Sequence, residues 1–366
     1  MAFCLVDTHL PGNVLRFLAA DHVARVLHCE ASCWIAGAPC ALPPGSFYLC
    51  ALPGANVVSA VSFFTRPRHV FLLAGLCCLL WGSAYPAIKQ GYALLSISRG
   101  DLAAQILFAG YRFVGAGALL LVFAKLSGKA LRLQRAQAGE LALLGVLQTT
   151  LQYIFFYIGL AHTTGVKASI LNTSGVFFSV LLAHFLYHND ALTWRKISGC
   201  VLGLAGVLAV NAGGLLGDGS GVEGGFSVLG EGFVVLAALV LSSASLYGKR
   251  LSQRMDSVVM TGYQLALGGV VLVAIGWGAG GRISGFSWAP ALLLAYMALL
   301  SAVAFALWGV LLKYNRVSTV ALYSFLVPVF GAGLSALFLG ESLWEWKYLV
   351  ALVLVSLGIY RVTQER

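Results

Sequence analysis

Charged side chains are scarce in this chain of 366 residues: Asp, Glu, Lys and Arg make up 10% of it, whereas 60% of the residues are hydrophobic. A soluble domain usually carries about 25% charged residues, which keep its surface hydrated. The mean hydropathy of +0.89 indicates the same shortage of polar surface. The composition therefore excludes a soluble enzyme, a nucleic-acid-binding protein, a coiled coil and a disordered chain, and leaves an integral membrane protein.

Catalytic and metal-binding motifs are also missing. The sequence has no HExxH zinc motif, and Asn172–Gly175 lacks the first glycine of the GxSG turn used by intramembrane serine proteases. Asp218 has no second aspartate in an apolar segment, and the cysteines match no paired CxxC pattern. The sequence thus predicts no enzyme, no metal and no cofactor, with an intramembrane enzyme or a channel subunit as remote alternatives.

Ten apolar segments follow residue 69, and each is near the length that crosses a hydrocarbon core as a helix. In lipid the backbone must satisfy its own hydrogen bonds, so uninterrupted runs of this length favour helices over barrel strands, which alternate in polarity. The predicted fold class is an all-α polytopic membrane protein with ten transmembrane helices. The segments cover residues 70–89, 105–123, 141–160, 168–187, 197–212, 230–248, 258–278, 291–312, 317–339 and 347–361.

Basic residues are distributed unevenly between the two sets of loops. If Arg66 and Arg68 are cytoplasmic, 15 Lys and Arg residues fall on the inside and 5 on the outside. This bias follows the positive-inside rule and predicts that both termini face the cytoplasm. Residues 1–69 form an atypical N-terminal extension, which we expect to be poorly ordered because it contains no apolar run of membrane-spanning length.

A five-span unit occurs twice. Gly110-Tyr111-Arg112 matches Gly262-Tyr263-Gln264 152 residues later, Asp190-Ala191-Leu192 matches Glu341-Ser342-Leu343 151 residues later, and Lys89 aligns with Lys249. Because five is odd, the second copy crosses the membrane in the opposite direction, an arrangement that supports alternating access to a site near the midplane. The predicted units are a first repeat at 70–212, an external linker at 213–229, a second repeat at 230–362 and a cytoplasmic tail at 363–366.

Acidic residues are almost missing from the ten segments. Glu231, at the mouth of the sixth, is the only Asp or Glu inside any of them. Proton-coupled pumps and exporters of organic cations commonly use a carboxylate within the membrane. His184 can titrate near neutral pH, but a lone histidine on an apolar helix is more often simply hydrogen bonded. The distribution favours zwitterionic, weakly anionic or neutral solutes over organic cations.

Several local features occur together over residues 70–362. They are Trp81-Gly82-Ser83 with Pro86 and Lys89, Tyr111-Arg112, the run 160–167, Pro328, and Gly340-Glu341-Ser342-Leu343. With the five-plus-five plan, this combination resembles the drug/metabolite transporter superfamily in its EamA-domain branch. The resemblance implies a secondary transporter whose central cavity is lined by the first, third, fourth, sixth, eighth and ninth spans. The first copy departs from the second in having Phe177 at the position of Pro328.

Arg112 lies near the middle of the second span, where burying it costs about 2.5–3.5 kcal/mol on insertion scales. We expect it to face the bundle, either as an anchor for an anionic group or as a structural arginine bonded to helix carbonyls. Polar and aromatic residues on other spans complete a small-molecule site or, alternatively, serve interhelical packing. The predicted substrate-binding residues are Trp81, Ser83, Tyr85, Arg112, Gln148, Gln152, Asn172, Ser242, Ser245, Trp308 and Tyr323.

Three residues are predicted to act as hinges or gates. Pro86 and Pro328 interrupt their spans and free backbone carbonyls for bending. Lys89 ends the first span, where it either extends to the outer interface or contributes to an outer gate.

The predicted function is transport of a small metabolite, such as an amino-acid-like solute, outward across the inner (plasma) membrane by alternating access. Multidrug efflux or metabolite uptake by the same fold are the alternatives. The expected partners are a small-molecule substrate and the lipid bilayer, with no nucleic acid, and the expected assembly is a monomer or homodimer.

Overall fold

The computed structural model describes residues 62–98, 100–163, 168, 171–216, 227–339 and 346–364. The predictions for residues 1–61 of the N-terminal extension, for residues 217–226 of the linker and for the motif at 340–343 lie outside the described residues.

Ten helical segments are present in the described residues, and they correspond one to one with the ten predicted spans. A π-helical turn, Val146–Leu151, lies within the third span, a second one, Val228–Gly232, begins the sixth, and a 3-10 turn, Tyr323–Phe325, lies within the ninth. The helices are α1 (Pro67–Leu94), α2 (Leu102–Leu126), α3 (Arg135–Gly145), α4 (Gln152–His162), α5 (Ser174–Leu186), α6 (Trp194–Leu216), α7 (Phe233–Ser252), α8 (Ser257–Gly278), α9 (Trp288–Tyr314), α10 (Val317–Leu322), α11 (Leu326–Leu339) and α12 (Trp346–Thr363).

The predicted all-α polytopic fold is confirmed. Within the described ranges, six helical segments are long and apolar enough to cross a membrane. Shorter apolar helices occur at Ser174–Leu186, Val317–Gly331 and Leu352–Thr363. Trp194, Trp277 and Trp288 are 81%, 62% and 84% exposed at the ends of their helices, which is where tryptophan anchors membrane proteins at the interface.

The second span of each repeat begins with an aspartate that caps the helix. Asp101 caps α2 by accepting a hydrogen bond from the amide of Ala104 at 2.9 Å, and Asp256 caps α8 by accepting one from the amide of Val259 at 3.2 Å. Each carboxylate satisfies an amide that has no partner within its helix and interacts favourably with the helix dipole. The local sequence therefore fixes where both helices start.

Both helices also end alike. Gly128 and Gly280, which are 152 residues apart, have left-handed backbones with φ of +73° and +84°. In each case the amide of the following residue donates to the carbonyl five positions earlier, at 2.9 and 2.8 Å. This is the Schellman ending, which glycine adopts without steric cost. The duplication seen in the sequence is thus reproduced in helix geometry.

The helices α2 and α8 pack against each other at glycines. A Cβ on Gly276 would meet Leu107, and a Cβ on Gly117 would meet the backbone of Ala266. As residue numbers rise along α2, those of the contacted residues in α8 fall, so the two helices are antiparallel. Since they are equivalent spans of the two repeats, the second repeat is inverted relative to the first, as predicted.

The glycine contacts between α2 and α8, which we call the glycine seam, are also reciprocal. Gly117 meets Ala266, while Gly269, 152 residues after Gly117, meets Val114, which lies 152 residues before Ala266. Reciprocal contacts of this kind arise where two copies are related by a two-fold axis. Small residues allow the two backbones to approach closely at this axis.

The remaining helices also pack against helices of the other repeat. The fifth spans, α6 and α12, pack on each other, as the second spans do. Helix α1 packs against α9 and α11, and its counterpart α7 packs against α4 and α5. The first span of each repeat therefore lies against the third and fourth spans of the other, and the space between them belongs to both repeats.

Candidate functional site

A cavity of about 220 Å³ lies between the two repeats. Sites for drug-sized ligands usually measure about 300–1,000 Å³, so this volume suits a small metabolite. Its walls come from the first, third, fourth, sixth, eighth and ninth spans, as the family resemblance implied, and from Arg112 of the second span.

Most of the predicted substrate-binding residues meet at this cavity. Nine of the eleven contribute to its walls, and so does Pro328 of α11. These nine come from both repeats and are Trp81, Tyr85, Arg112, Gln148, Gln152, Asn172, Ser242, Ser245 and Trp308.

Two predicted residues lie elsewhere. Ser83 is two positions from both Trp81 and Tyr85, hence about 200° around α1 from each, and its hydroxyl bonds to the hydroxyl of Tyr296 at 2.7 Å. Tyr323 is 1% exposed and belongs to an apolar cluster with Cys78. Neither residue lines the cavity, and hydropathy alone could not have predicted this because it does not give the direction in which each side chain points.

The predicted hinge and gate residues are placed differently from one another. Pro86 is buried within α1, which continues as helix to Leu94. Lys89 is exposed and makes no hydrogen bond or ion pair with the described residues. Their roles stay predictions.

Arg112 is 3% exposed, and it is the one charged side chain among the described residues that line the cavity. Its Nε donates to the hydroxyl of Ser301 at 2.6 Å, and Ser301 in turn donates to the carbonyl of Met297 at 2.7 Å. The guanidinium lies 5.1 Å from the centre of the Phe113 ring.

Arginine carries five N–H donors, and Arg112 uses only one of them in hydrogen bonds within the described parts of the chain. No Asp or Glu of those parts forms an ion pair with it, and it bonds no helix carbonyl there. Its remaining donors and its positive charge are therefore available at the cavity wall.

Amide and indole groups surround this cation. The Oδ1 atom of Asn172 and the Nε1 atom of Trp81 are buried and have no hydrogen-bond partner among the described residues. Gln148 and Gln152 also line the wall, and their side chains make no hydrogen bond there. Since an unmet buried polar group costs about 1–3 kcal/mol, these groups favour a polar solute that bonds to them.

The serines of α7 offer only acceptor lone pairs to the cavity. Ser242 donates its hydroxyl hydrogen to the carbonyls of Gly175 or Ala238, at 2.7 and 2.8 Å, and Ser245 donates to the carbonyl of Leu241 at 2.7 Å. Each hydroxyl has one hydrogen, so these groups accept from a solute rather than donate to it.

Aromatic rings form the rest of the wall. The Trp81 ring meets Trp308 and Phe305 edge to face, with centroids 5.0 and 5.4 Å apart. Tyr153 and Tyr157 line the same space and were not predicted. The sequence carried no signal for either, since the five residues that separate them from Gln148 and Gln152 turn an α-helix by about 140°.

Glu231 and His184 are titratable residues that do not line the cavity, and both form hydrogen bonds with other parts of the chain. Glu231 accepts hydrogen bonds from the Thr163 hydroxyl at 2.8 Å and from the Ser227 amide at 2.9 Å. His184 is exposed, and its Nδ1 accepts from the amide of Leu192 at 3.1 Å. The described residues contain no group of three His, Cys, Asp or Glu side chains that could hold a metal.

Comparison with known proteins identifies the family. The model of the EamA-like transporter family matches residues 69–212 and 228–364. An uncharacterised transporter of Bacillus subtilis, YvbV, is 29% identical over 299 residues, covering 80% of this chain and 91% of its own. A probable terminal-alkyne amino-acid exporter of Streptantibioticus cattleyicolor is 27% identical over 280 residues, covering 73% of this chain and 84% of its own.

Two further relatives extend the comparison. A transporter of S-adenosylmethionine and S-adenosylhomocysteine from Chlamydia muridarum is 25% identical over 226 residues, covering 60% of this chain and 66% of its own. One crystal structure has the same fold, with a TM-score of 0.66 at 18% identity, covering 82% of this chain and 98% of its own. The chain therefore belongs to the EamA-like transporter family and is a multi-pass membrane protein that transports a small molecule.

Proposed function

We propose that this protein is a secondary carrier that exports a small amino-acid-like metabolite across the inner membrane by alternating access. The observation that carries the proposal is Arg112, a buried cation at the cavity wall whose remaining donors have no partner in the described residues. A solute carboxylate supplies both the missing charge and the missing acceptors.

The energetics favour a carboxylate over a neutral group at this position. Guanidinium and carboxylate form paired, charge-assisted hydrogen bonds, which are about twice as strong as neutral ones. A buried charge without a partner is costly, so binding of an anion relieves a penalty that the empty cavity carries. An organic cation meets the opposite situation, because the described lining residues include no Asp or Glu.

The cavity also offers places for an ammonium group. Oδ1 of Asn172 is an acceptor without a partner among the described residues, and the faces of Trp81 and Trp308 attract cations. Acceptors and rings at one place and a guanidinium at another match the two charges of an α-amino acid. We therefore assign the carboxylate to Arg112 and the ammonium group to the Asn172 side.

The relatives support this assignment. The exporter from Streptantibioticus cattleyicolor is named for an amino acid, and the Chlamydia muridarum protein is named for S-adenosylmethionine and S-adenosylhomocysteine. All three solutes carry the same head group, an ammonium and a carboxylate on one carbon. Exchange or facilitated diffusion fits the cavity as well as proton coupling does, since no carboxylate lines it among the described residues.

Competition assays in proteoliposomes test the proposal. We would load vesicles with a mixture of amino acids and measure counterflow of single radiolabelled ones, with and without a pH gradient. For the solute that is transported, we expect its methyl ester and its decarboxylated amine to compete poorly, and its hydroxy-acid analogue to compete better than the amine. Transport of lipophilic cations or dyes without competition by carboxylates would contradict the proposal and favour multidrug efflux.

Orientation and direction are tested separately. Reporter fusions after residue 364 and within residues 217–226 are expected to place the chain end in the cytoplasm and the linker outside, as the excess of basic residues predicts. Both fusions on one side of the membrane would contradict the proposed topology. Net efflux from preloaded cells, larger than uptake under the same gradient, is the expected sign of export.

A further inference from the structure

A buried ion pair lies at one end of the bundle, between Asp190 in the connection from α5 to α6 and Lys196 in the first turn of α6. Asp190 and Lys196 are each 1% exposed, and Oδ1 of Asp190 lies 2.7 Å from Nζ of Lys196. The same ammonium group donates to the carbonyl of Ala191. The pair is thus closed off from solvent and oriented by the backbone of its own turn.

This ion pair of the first repeat holds the second repeat. Oδ2 of Asp190 accepts a hydrogen bond from the amide of Ser318 at 3.0 Å, and Oδ1 accepts one from the Ser318 hydroxyl. Ser318 lies at the start of α10, in the ninth span. We call Asp190, Lys196 and Ser318 the Asp190 latch.

A second cation reinforces the same end. Lys249, near the end of α7, donates to the carbonyl of Asn315 and lies 5.5 Å from the centre of the Tyr187 ring. The Tyr187 hydroxyl donates to the carbonyl of Leu246 at 3.1 Å. The α5–α6 connection, α7 and the α9–α10 connection are therefore tied together by polar groups.

The latch lies directly next to the cavity. Val317, the neighbour of Ser318, lines the cavity, and so does Leu312, three residues before Asn315. A small space of about 20 Å³ shares the side chains of Gln148, Ser245, Trp308 and Leu312 with the cavity and reaches Lys249. Movement of α10 away from the α5–α6 connection would open this end of the cavity.

The chemistry of the latch suits a closure that opens to water. A buried ion pair stabilises a closed structure no more than well-packed apolar residues of the same volume, because its attraction is offset by lost hydration. When the end opens, both ions regain hydration, whereas apolar closing surfaces would stay unfavourable in water. The closed and open states therefore differ little in free energy, as a carrier needs.

The opposite end differs at the repeat-related position. Lys89, which aligns with Lys249, is exposed and forms no hydrogen bond or ion pair within the described ranges. Lys249 is engaged by Asn315 and Tyr187. One lysine of the related pair is thus part of a closed end while the other is free.

We propose that the Asp190 latch is the gate that holds the cavity closed at the end where α5–α6 meets α10, and that its release is coupled to closure at the Lys89 end. The proposal rests on the alternating-access mechanism proposed above. It assigns a conformational role to a charged cluster that does not contact the solute.

Distances between spin labels in reconstituted protein test the gate without any substrate. In a cysteine-free background, labels on the exposed residues His188 and Arg316 report the latch end, and labels on Gln90 and His162 report the other end. We expect D190A, which leaves Lys196 buried without its counter-ion and Ser318 without its acceptor in the closed state, to raise the ratio of long to short His188–Arg316 distances about tenfold and to shorten the Gln90–His162 distance.

The matched control is D256A, which breaks a partly exposed ion pair that also joins the two repeats and should leave both distances unchanged. If D190A is not recovered folded, S318A and K249M replace it, with a smaller shift in the same direction. Unchanged distances in folded variants would overturn the gate, and so would lengthening at the latch end with no change at the other end. Saturable transport with unchanged distances would refute the gate alone, whereas shifted distances without carboxylate transport would refute the substrate assignment alone.

Discussion

The two repeats make the same hydrogen bond at equivalent positions, but only one copy is charged. In the first, Nε of Arg112 donates to the hydroxyl of Ser301 at 2.6 Å; in the second, Nε2 of Gln264 donates to the hydroxyl of Thr149 at 3.2 Å. Arg112 and Gln264 are 152 residues apart, as are Thr149 and Ser301. The comparison teaches that the two repeats share a packing contact between spans, and that only the first repeat places a cation in it, where we propose that it binds the solute.

The surroundings of the two copies differ accordingly. Gln264 is 2% exposed and borders only the small space beside the cavity, whereas Arg112 lines the cavity itself. Gln264 is neutral, whereas the Arg112 guanidinium is charged and has four more N–H groups besides the one that bonds to Ser301. The first repeat therefore contributes the charge of the site and the second repeat contributes its positioning hydroxyl.

Making the two copies alike gives the largest expected effect. R112Q removes the cation, and we expect the transport efficiency for a carboxylate-bearing solute to fall about 100-fold, because a buried charged partner is lost. The control Q264A should change the efficiency less than about threefold. Values of kcat/KM measured in proteoliposomes test both expectations. Full activity of R112Q would show that Arg112 is only structural.

Substitutions in the glycine seam between α2 and α8 should lower stability equally in the two repeats. G117A and G269A each place a methyl group against the backbone of the partner helix, with Val114 N at 2.6 Å from the added atom in the second case. We expect each to lower the free energy of unfolding by about 1–3 kcal/mol. Thermal unfolding in detergent measures this, with G75A as the control, since no atom lies within 4 Å of its added methyl group. A large difference between the two seam variants would refute the two-fold relation.

Removing the hydroxyls separates the charged copy from the neutral one. S301A leaves Nε of Arg112 without its partner, and we expect KM to rise about tenfold with kcat little changed, because the guanidinium is no longer held in position. T149A removes the equivalent hydroxyl beside Gln264 and should leave KM unchanged. Equal effects of the two variants on KM would mean that both hydroxyls act through stability alone.

The smallest expected effect concerns the caps of α2 and α8. Burial raises the pKa of Asp256, but hydrogen bonds from Lys129 and from the amides of Val259 and Val258 outweigh it, so the pKa lies below its ordinary value. Such a carboxyl stabilises the fold above its unfolded pKa of about 3.9, and this is lost as the pH falls through the lower folded pKa.

We therefore expect D256N to destabilise the protein at neutral pH by less than about 1 kcal/mol, since the pair is exposed. The difference from wild type should vanish in acid. D101N, which alters the cap of α2, is the comparison because Asp101 forms no ion pair among the described residues. Melting temperatures measured across pH check this, and a difference that persisted below pH of about 3 would contradict it.

Most of the fold follows from the sequence, because hydropathy over about 20 residues and the repeat of Gly-Tyr and acidic-Leu pairs are strong local signals. The ends of helices were less predictable. Helix α1 begins at Pro67 rather than at residue 70 and continues to Leu94 rather than to residue 89, since capping and proline positions fix helix ends more than hydropathy does.

Nine of the eleven substrate-site residues predicted from the sequence line the cavity, and helix register explains why other lining residues were not predicted. Gln148 and Gln152 face the cavity with Phe156, while Phe155 instead packs on Phe233. The π-helical turn Val146–Leu151 changes the angular register of this span, and nothing in a single sequence announces such a turn. Tyr153 and Tyr157 follow this turn, and their positions at the cavity were therefore not predictable from α-helical periodicity.

The glycine seam between α2 and α8 has a geometric consequence for motion. Contacts that lie on a two-fold axis map onto themselves when two halves exchange shapes, so this seam stays packed in both states of such an exchange. Contacts away from the axis, such as those of α10 with the α5–α6 connection, must instead break while the repeat-related contacts on the other side of the bilayer form. The contact between α2 and α8 can thus stay packed while the two ends of the cavity open alternately.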